Sequence, residues 1–264
     1  MDAADVIADL TDESAEVDAL VADRPAADWA RDTPAAGWTV SHQVAHLAWT
    51  DQAALMAITD PERFAAHLAQ AAADPESFVD KGAAGTIDEP PRLLAAWREG
   101  RAALREALLG LPPGAKVAWY GPPMSTTSMA TARLMETWAH GLDIADALGV
   151  TRAPTARLRH IAHLGHRTLG YAFLVNGKQL PESPVRVELT APDGTRWTFG
   201  PAEATDVVTG PALDFCLLVT QRRNRADLAL VATGPVADAW LDVAQAFAGP
   251  PGGGRPPTTQ GALA

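Results

Sequence analysis

The feature that most constrains this sequence is the spacing of apolar residues in its first half. Four long segments repeat apolar side chains at the 3.6-residue interval of an amphipathic helix, and stretches rich in Pro and Gly separate them. These segments begin near Ala3, Ser41, Leu93 and Ser125, and we expect Ser41 to be the N-cap of the second. A loop with Gly82 and Gly85 is expected before the third. Amphipathic helices joined by short connections bury their apolar faces against one another. We therefore predict an antiparallel four-helix bundle for residues 1–150.

The second half of the chain has a different pattern of apolar and polar residues. Residues 185–190 and 195–199 alternate in strand fashion around Pro192-Asp193-Gly194, which is a hairpin signal, and helical segments lie on both sides. We expect a loop between residue 199 and the helix near residues 211–220. We predict a small α+β domain for residues 151–248. The fold class is then mainly α with an α+β part. Residues 249–264 open on a run of Gly and Pro, and we expect them to form a disordered tail.

Charge and composition exclude several classes of protein. Residues 1–150 carry 10 Lys and Arg against 23 Asp and Glu, whereas the rest of the chain carries 11 against 9. Nucleic-acid binding draws on clustered cations, so we expect no nucleic-acid partner. The first ten residues hold three aspartates and no base, and no apolar stretch approaches the roughly 18–20 residues that span a bilayer. We expect a soluble, cytoplasmic protein without membrane contact.

The single cysteine, Cys216, excludes a disulfide framework and a Cys-rich zinc site. It lies in an apolar run, so we expect a buried thiol rather than a nucleophile.

The strongest candidate for chemistry is the pair Glu136 and His140 in the fourth helical segment. Residues four apart share one face of a helix, and a carboxylate beside an imidazole can bind one divalent cation. A surface pair without function is the alternative. The apolar neighbours favour burial, which is costly for a carboxylate unless a cation compensates its charge. His46, on another core-facing helix, is a third candidate ligand, although a histidine there can also be a hydrogen-bonded core residue.

Other histidines are weaker candidates. His42 lies one turn before His46, near the start of the helix, where we expect it to be exposed. His160, His163 and His166 are interspersed with arginines, and we interpret them as a solvated polar stripe.

Two motifs carry a resemblance to a known family. Trp38-Thr39-Val40 followed by His46-Leu47, together with Glu136-x-x-x-His140-Gly141-x-Asp143, resembles the DinB-like metal-binding four-helix bundles. The most similar branch is the mycothiol-dependent maleylpyruvate isomerases of actinobacteria. The resemblance implies that His46, Glu136 and His140 hold one divalent metal, with zinc preferred, and leave positions for water or a thiol. The run Tyr120–Ser125 departs from the isomerase pattern and resembles a sister actinobacterial subfamily.

The same resemblance implies a function. In that branch a small α+β domain follows the bundle and contributes an arginine to the thiol site, for which Arg222 and Arg223 are the candidates. We expect a metal-dependent enzyme that uses a low-molecular-weight thiol, mycothiol by resemblance, as an isomerase or transferase acting on a small electrophilic substrate. We assign no catalytic residue beyond the ligands, and we expect a monomer or homodimer.

Two alternatives stay open at this point. The first is a metal-dependent hydrolase that uses a metal-bound water, and the second is a non-enzymatic metal-binding protein. Ligand type alone also leaves iron, nickel or manganese possible in place of zinc.

Overall fold

The fold was analysed in a computed structural model that describes residues 2–258. The chain divides into two units, with the division between Arg152 and Ala153. The helices of the first unit are α1 (Ala3–Val21), α2 (Ala26–Trp29), α3 (Val40–Thr59), α4 (Pro61–Ala73), α5 (Phe78–Thr86), α6 (Pro90–Leu109) and α7 (Thr126–Leu148). A two-stranded hairpin, β1 (Lys116–Val117) and β2 (Met124–Ser125), joins α6 to α7.

The predicted bundle is formed by α1, α3, α6 and α7. Helix α3 packs against α6 and α7, and α1 packs against the same two helices. The ends of these helices follow local rules. Ser125 caps the start of α7 by accepting a hydrogen bond from the Ser128 N–H, and Gly149 ends that helix in the left-handed conformation that suits glycine. Thr39, rather than the expected Ser41, caps α3.

Helix α5 was not expected, because Gly82 and Gly85 indicated a loop. The reason for the helix is a close packing contact. A Cβ atom on Gly82 would lie 2.3 Å from Cε2 of Trp49, so only glycine allows α5 to approach α3 at this point. The tertiary contact outweighs the low helix propensity of glycine.

The second unit is an α+β fold. Its elements are α8 (Leu158–Arg167), α9 (Leu169–Val175), β3 (Val185–Thr190), β4 (Arg196–Phe199), β5 (Asp206–Pro211), α10 (Ala212–Val219), a short 3-10 turn (Arg225–Asp227), β6 (Val231–Thr233) and α11 (Pro235–Leu241). The strands form one sheet in the order β4-β3-β5-β6. The predicted hairpin is β3 and β4, which pair antiparallel.

Strand β5 was predicted as a loop and is a central strand of this sheet. It pairs with β3 in parallel and with β6 in antiparallel orientation. Its first residue, Asp206, is buried, and its carboxylate accepts hydrogen bonds from the backbone N–H groups of Val236 and Ala237 at the start of α11. The strand and the helix are thereby joined by a charge at a helix N-terminus, where negative charge is stabilising.

The predicted tail lies partly outside the described residues, which end at Thr258. Residues 249–258 do not extend away from the second unit, because hydrogen bonds attach them to other residues of that unit. Asn224 donates to the carbonyl of Arg255, and the Thr258 N–H donates to the Asp227 carboxylate. Within the described residues, we find no helix with the length and apolar character that a membrane span requires.

Candidate metal centre

Three side chains from two bundle helices meet in the first unit. His46 lies on α3, and Glu136 and His140 lie one turn apart on α7. One potential ligand atom from each residue lies within 4.8 Å of the other two. The Nε2 atom of His140 is 3.2 Å from Oε2 of Glu136, and Nε2 of His46 is 3.8 Å from the same oxygen. The structure therefore brings together the three residues that the sequence singled out.

A chain of hydrogen bonds determines which nitrogen of His140 carries a proton. The carbonyl oxygen of Trp38 can only accept, so the Thr33 hydroxyl donates to it over 2.8 Å. The Thr33 oxygen then accepts from the amide nitrogen of Gln43, also over 2.8 Å. The amide oxygen of Gln43 consequently faces His140 and accepts a hydrogen bond from Nδ1. The proton of a neutral His140 is therefore on Nδ1, and Nε2 presents a lone pair to Glu136.

This arrangement fits a bound cation. Nε2 of His140 and Oε2 of Glu136 face each other across 3.2 Å, and in a neutral ring with its proton on Nδ1 both atoms would be acceptors. Two facing lone pairs are unfavourable unless something positive lies between or in front of them. Two imidazole nitrogens and one carboxylate oxygen form a donor set that divalent transition metals accept, and three protein ligands are typical of catalytic zinc sites.

The indole ring of Trp38 packs beside the three ligand residues. Its centroid lies 5.3 Å from the His46 ring and 5.9 Å from the His140 ring, with which it is nearly parallel. The indole nitrogen donates to Asp80 on α5 over 3.1 Å. Trp38 therefore supports the site through its ring and through its backbone carbonyl.

His42 has a structural role. Its Nδ1 lies 2.8 Å from the hydroxyl of Thr39 and accepts a hydrogen bond from the Thr39 N–H, so the pair forms a capping box at the start of α3. Although His42 lies near Trp38, its Nδ1 nitrogen is used in the cap.

Burial and neighbouring charge shift the pKa values of two of the candidate ligands, His46 and Glu136. Burial, and then the proximity of His140, lower the pKa of His46 to about 4, so this imidazole is neutral at physiological pH. Burial by itself raises the pKa of Glu136, but the two imidazoles outweigh it and lower that pKa well below its usual range. A neutral imidazole beside an ionised carboxylate is the protonation state in which both bind metal.

The second unit contains the other predicted site residues. Arg222 and Arg223 follow α10, and Arg223 lines a cavity of about 230 Å³ together with Asn224, Arg225 and Arg255. Binding of a thiol or substrate by these arginines stays a prediction. Cys216 is fully buried on α10 and lies 3.4 Å from the carbonyl oxygen of Leu158.

The predicted histidine stripe is less solvated than expected. His160 is buried, His163 packs near the Phe199 ring, and Nε2 of His166 lies 3.1 Å from the carbonyl oxygen of Val185. Packing of α8 against α10 and β4 accounts for this difference, because these elements cover part of the helix surface.

Sequence reasoning missed Gln43 and Thr33. Gln43 is fully buried and lies three residues before His46, so both side chains share a face of α3. A glutamine on a core-facing position next to a candidate ligand was the available signal. Its partner, Thr33, lies in a loop and gave none.

Comparison with known proteins decides the family. The model of the mycothiol maleylpyruvate isomerase N-terminal domain matches residues 10–145, which is more than half of the chain and extends from within α1 to within α7. The chain belongs to this family. The family prediction made from the two motifs is therefore confirmed. A second family model, described as wyosine base formation, matches residues 181–233, which include strands β3 to β6 of the second unit.

Members of this family with high similarity to the chain occur in Mycobacterium tuberculosis. Two uncharacterized proteins, from the CDC 1551 and H37Rv strains, are each 56% identical to it over 250 residues. The alignment covers 94% of this chain and 97% of each relative, so both units are shared.

Two solved structures share the fold. The crystal structure of a mycothiol-dependent maleylpyruvate isomerase matches with a TM-score of 0.60 at 18% identity, covering 88% of this chain and 93% of that chain. A histidine-to-alanine mutant of that enzyme matches with a TM-score of 0.59 at 17% identity and the same coverage. These matches confirm the predicted fold class, a helical bundle followed by a small α+β part.

Proposed function

We propose that this protein is a metal- and thiol-dependent isomerase or transferase. Its substrates would be a small electrophilic molecule and a low-molecular-weight thiol, with mycothiol as the first candidate. Membership in the mycothiol maleylpyruvate isomerase family supports this proposal, and so does the fold shared with a mycothiol-dependent maleylpyruvate isomerase. Zinc is the preferred ion, because two imidazoles and a carboxylate suit it well.

The observation that carries the proposal is the convergence of His46, Glu136 and His140 in a chain whose own thiol is inaccessible. Cys216 is fully buried, and burial raises the pKa of its thiol well above the usual range. A thiol nucleophile must then be supplied by a second small molecule. A bound zinc ion would lower the pKa of such a thiol and make the thiolate available at neutral pH.

The residues of the chain have separate tasks in this proposal. His46, Glu136 and His140 hold the ion, and Gln43 keeps the lone pair of His140 Nε2 directed towards it. Arg222 or Arg223 would bind an anionic group of the thiol or the substrate.

Isomerisation itself requires a reversible addition. The thiolate adds to a conjugated double bond, rotation follows about the resulting single bond, and expulsion of the same thiolate restores the double bond in the other geometry. The thiol is not consumed. In a transferase reaction it would stay bonded to the product.

Calorimetric titration of the zinc-loaded protein with mycothiol tests the proposal. We expect saturable binding by the wild-type protein and none by His140→Ala, which loses a ligand. His163→Ala is the matched control, because it removes a histidine of the second unit and should bind as the wild type does. An absence of heat with the zinc-loaded wild-type protein would contradict the thiol-dependent function.

A further inference from the structure

A cluster of aromatic rings adjoins the metal centre on one side of the first unit. Trp49 of α3, His67 of α4 and Phe78 of α5 lie within 5.8 Å of one another, measured between ring centroids. Tyr120, in the loop between β1 and β2, lies 5.9 Å from both His67 and Phe78. Four separate elements therefore contribute one ring each, and we refer to these four residues as the ring cluster.

The ring cluster is accessible to solvent. Trp49, His67 and Phe78 are half-buried, and Tyr120 is 37% exposed. Phe64 packs beneath Tyr120 and is fully buried. If the ring cluster only filled the core, its side chains would be fully buried, as that of Phe64 is.

The ring cluster contains a polar pair. The Nε2 atom of His67 lies 2.6 Å from the hydroxyl oxygen of Tyr120, and no other hydrogen bond to either side chain is found among the described residues. Burial, and then the charge of Arg63, lower the pKa of His67, while burial raises the pKa of Tyr120. At neutral pH the pair therefore consists of a neutral imidazole and a protonated phenol.

Trp49 connects the ring cluster to the metal ligands. The centroid of its ring lies 6.2 Å from that of His46 and 5.8 Å from that of His67. The ring centroids of His46 and His67 are therefore no more than about 12 Å apart. Gly82 allows the Trp49 ring to occupy this position, because any larger residue at position 82 would displace the ring. The ring cluster therefore begins one ring away from His46.

We propose that the ring cluster binds the planar, conjugated carbonyl portion of the electrophilic substrate, with the Tyr120 hydroxyl donating a hydrogen bond to its oxygen. This inference rests on the proposed function for the identity of the reacting partner. Aromatic faces favour a flat unsaturated ligand, since rings and conjugated systems stack in offset or edge-on geometry. The hydroxyl provides the polar contact that fixes the orientation of a ligand in a largely apolar site.

His67 acts as a positioning residue in this proposal. When its proton is on Nε2, the imidazole donates to the phenol oxygen, and the hydroxyl proton is then free to point to a ligand. The tautomer with the proton on Nδ1 would instead accept the hydroxyl proton. Ligand binding selects the first arrangement, because only that arrangement leaves a donor for the carbonyl oxygen.

The test uses a matched pair of probes on metal-free, thiol-free protein. Benzylideneacetone is a planar conjugated ketone, and benzylacetone is its saturated, flexible analogue. Calorimetry or ligand-observed NMR measures both dissociation constants. We expect the wild-type protein to bind the conjugated ketone more tightly, and equal binding of the two probes would overturn the inference without any variant. Cys216 is buried, so covalent capture of the enone does not interfere.

Variants then identify the contacts. Tyr120→Phe should weaken binding of the conjugated ketone about tenfold, as expected for the loss of one hydrogen bond. His67→Leu should weaken it too, and His67→Gln should restore most of the affinity because its amide can still donate to the phenol. Tyr171→Phe removes the only other tyrosine of the chain and should bind as the wild type does.

Two results would count against the inference: unchanged binding by Tyr120→Phe, or His67→Gln as weak as His67→Leu. Failure of the proposed function would appear elsewhere, as an absence of mycothiol binding to the zinc-loaded protein, and would leave these titrations unaffected.

Discussion

Gln43 and His140 are 97 residues apart in the chain, and the amide oxygen of the first accepts a hydrogen bond from Nδ1 of the second. Because Thr33 and the backbone of Trp38 fix the orientation of that amide, the contact does more than fill space. It directs the lone pair of His140 Nε2 towards Glu136. Residues that orient metal ligands in this way commonly change metal affinity 10- to 100-fold when they are replaced.

Replacing Gln43 should therefore weaken zinc binding without removing a ligand. We expect Gln43→Leu to lower zinc affinity about 10- to 100-fold, measured by competition with a chromophoric chelator. Gln43→Glu is the matched control, because its carboxylate can still accept from Nδ1 and should retain most of the affinity. Equal affinity of Gln43→Leu and the wild type would show that the amide does not orient His140.

Metal should stabilise the folded protein. A ligand that binds only the native state, at a free concentration about 100 times its dissociation constant, adds about 2.7 kcal/mol to the free energy of unfolding. We expect the melting temperature of the metal-free protein to rise on addition of zinc. Glu136→Gln should lose most of this rise, while the exposed Glu106→Gln should keep it. A rise of full size in Glu136→Gln would exclude this carboxylate as a ligand.

The buried ion pair between Arg133 and Asp51 should matter for stability. The Nε of Arg133 donates to Asp51 over 2.9 Å, and the indole nitrogen of Trp97 donates to the other carboxylate oxygen over 3.1 Å. Removing one partner of a buried pair leaves an uncompensated charge, so we expect Asp51→Ala to cost about 3–5 kcal/mol in chemical denaturation.

An exposed pair provides the comparison for this variant. Glu106→Ala removes the partner of Arg105 on the surface of α6 and should cost no more than about 1 kcal/mol. Similar losses in the two variants would contradict the importance assigned to burial.

Acid should destabilise the metal-free protein through His46. Its pKa is about 4 in the folded state, lowered by burial and by His140, against an ordinary value of 6.5. Between these two pH values the unfolded chain binds the proton more readily, so stability falls as the pH falls from 6.5 to 4 and is fully present above 6.5. The loss amounts to roughly 3 kcal/mol.

Urea denaturation of metal-free protein across this pH range measures that loss. His46→Gln removes the titrating group and should flatten this part of the curve. If the variant kept the full slope of the wild type, another group would be responsible. Below pH 4.5, the ordinary pKa of a glutamate, protonation of Glu136 in the unfolded chain adds a further loss, because its pKa is lowered in the folded state.

The thiol of Cys216 should not react in the native protein. It is fully buried and its pKa is raised by that burial, so the thiolate is scarce and unreachable. We expect Ellman's reagent to label no thiol in native protein and one thiol per chain in denaturant. Rapid labelling of the native protein would contradict the premise that the chain lacks its own nucleophile.

Local pattern was enough to predict the bundle and to single out the three residues that converge in it, but not the elements that depend on distant contacts. The four long helices follow directly from apolar spacing and from caps such as Ser125. Helix α5 was missed because Gly82 is a helix breaker by propensity, and only the Trp49 ring explains its presence. Strand β5 was missed because its stability comes from parallel pairing with β3, across a long separation in sequence.

The candidate site shows the same limit. Glu136 and His140 are one turn apart on one helix, so their spacing is visible in the sequence. Gln43 and Thr33 contribute through hydrogen bonds to residues that only the fold brings near. The ring cluster likewise assembles from four elements, so no single segment of the sequence predicts it.

The buried position of Cys216 has a consequence for a cell under oxidative stress. An enzyme that works with a reactive small thiol is exposed to the disulfide form of that thiol whenever oxidants accumulate. A surface cysteine would then form a mixed disulfide with it and inactivate the protein. The only sulfhydryl of this chain is enclosed between α10 and α8, so oxidised thiol has no exposed cysteine with which to form a mixed disulfide and inactivate the protein.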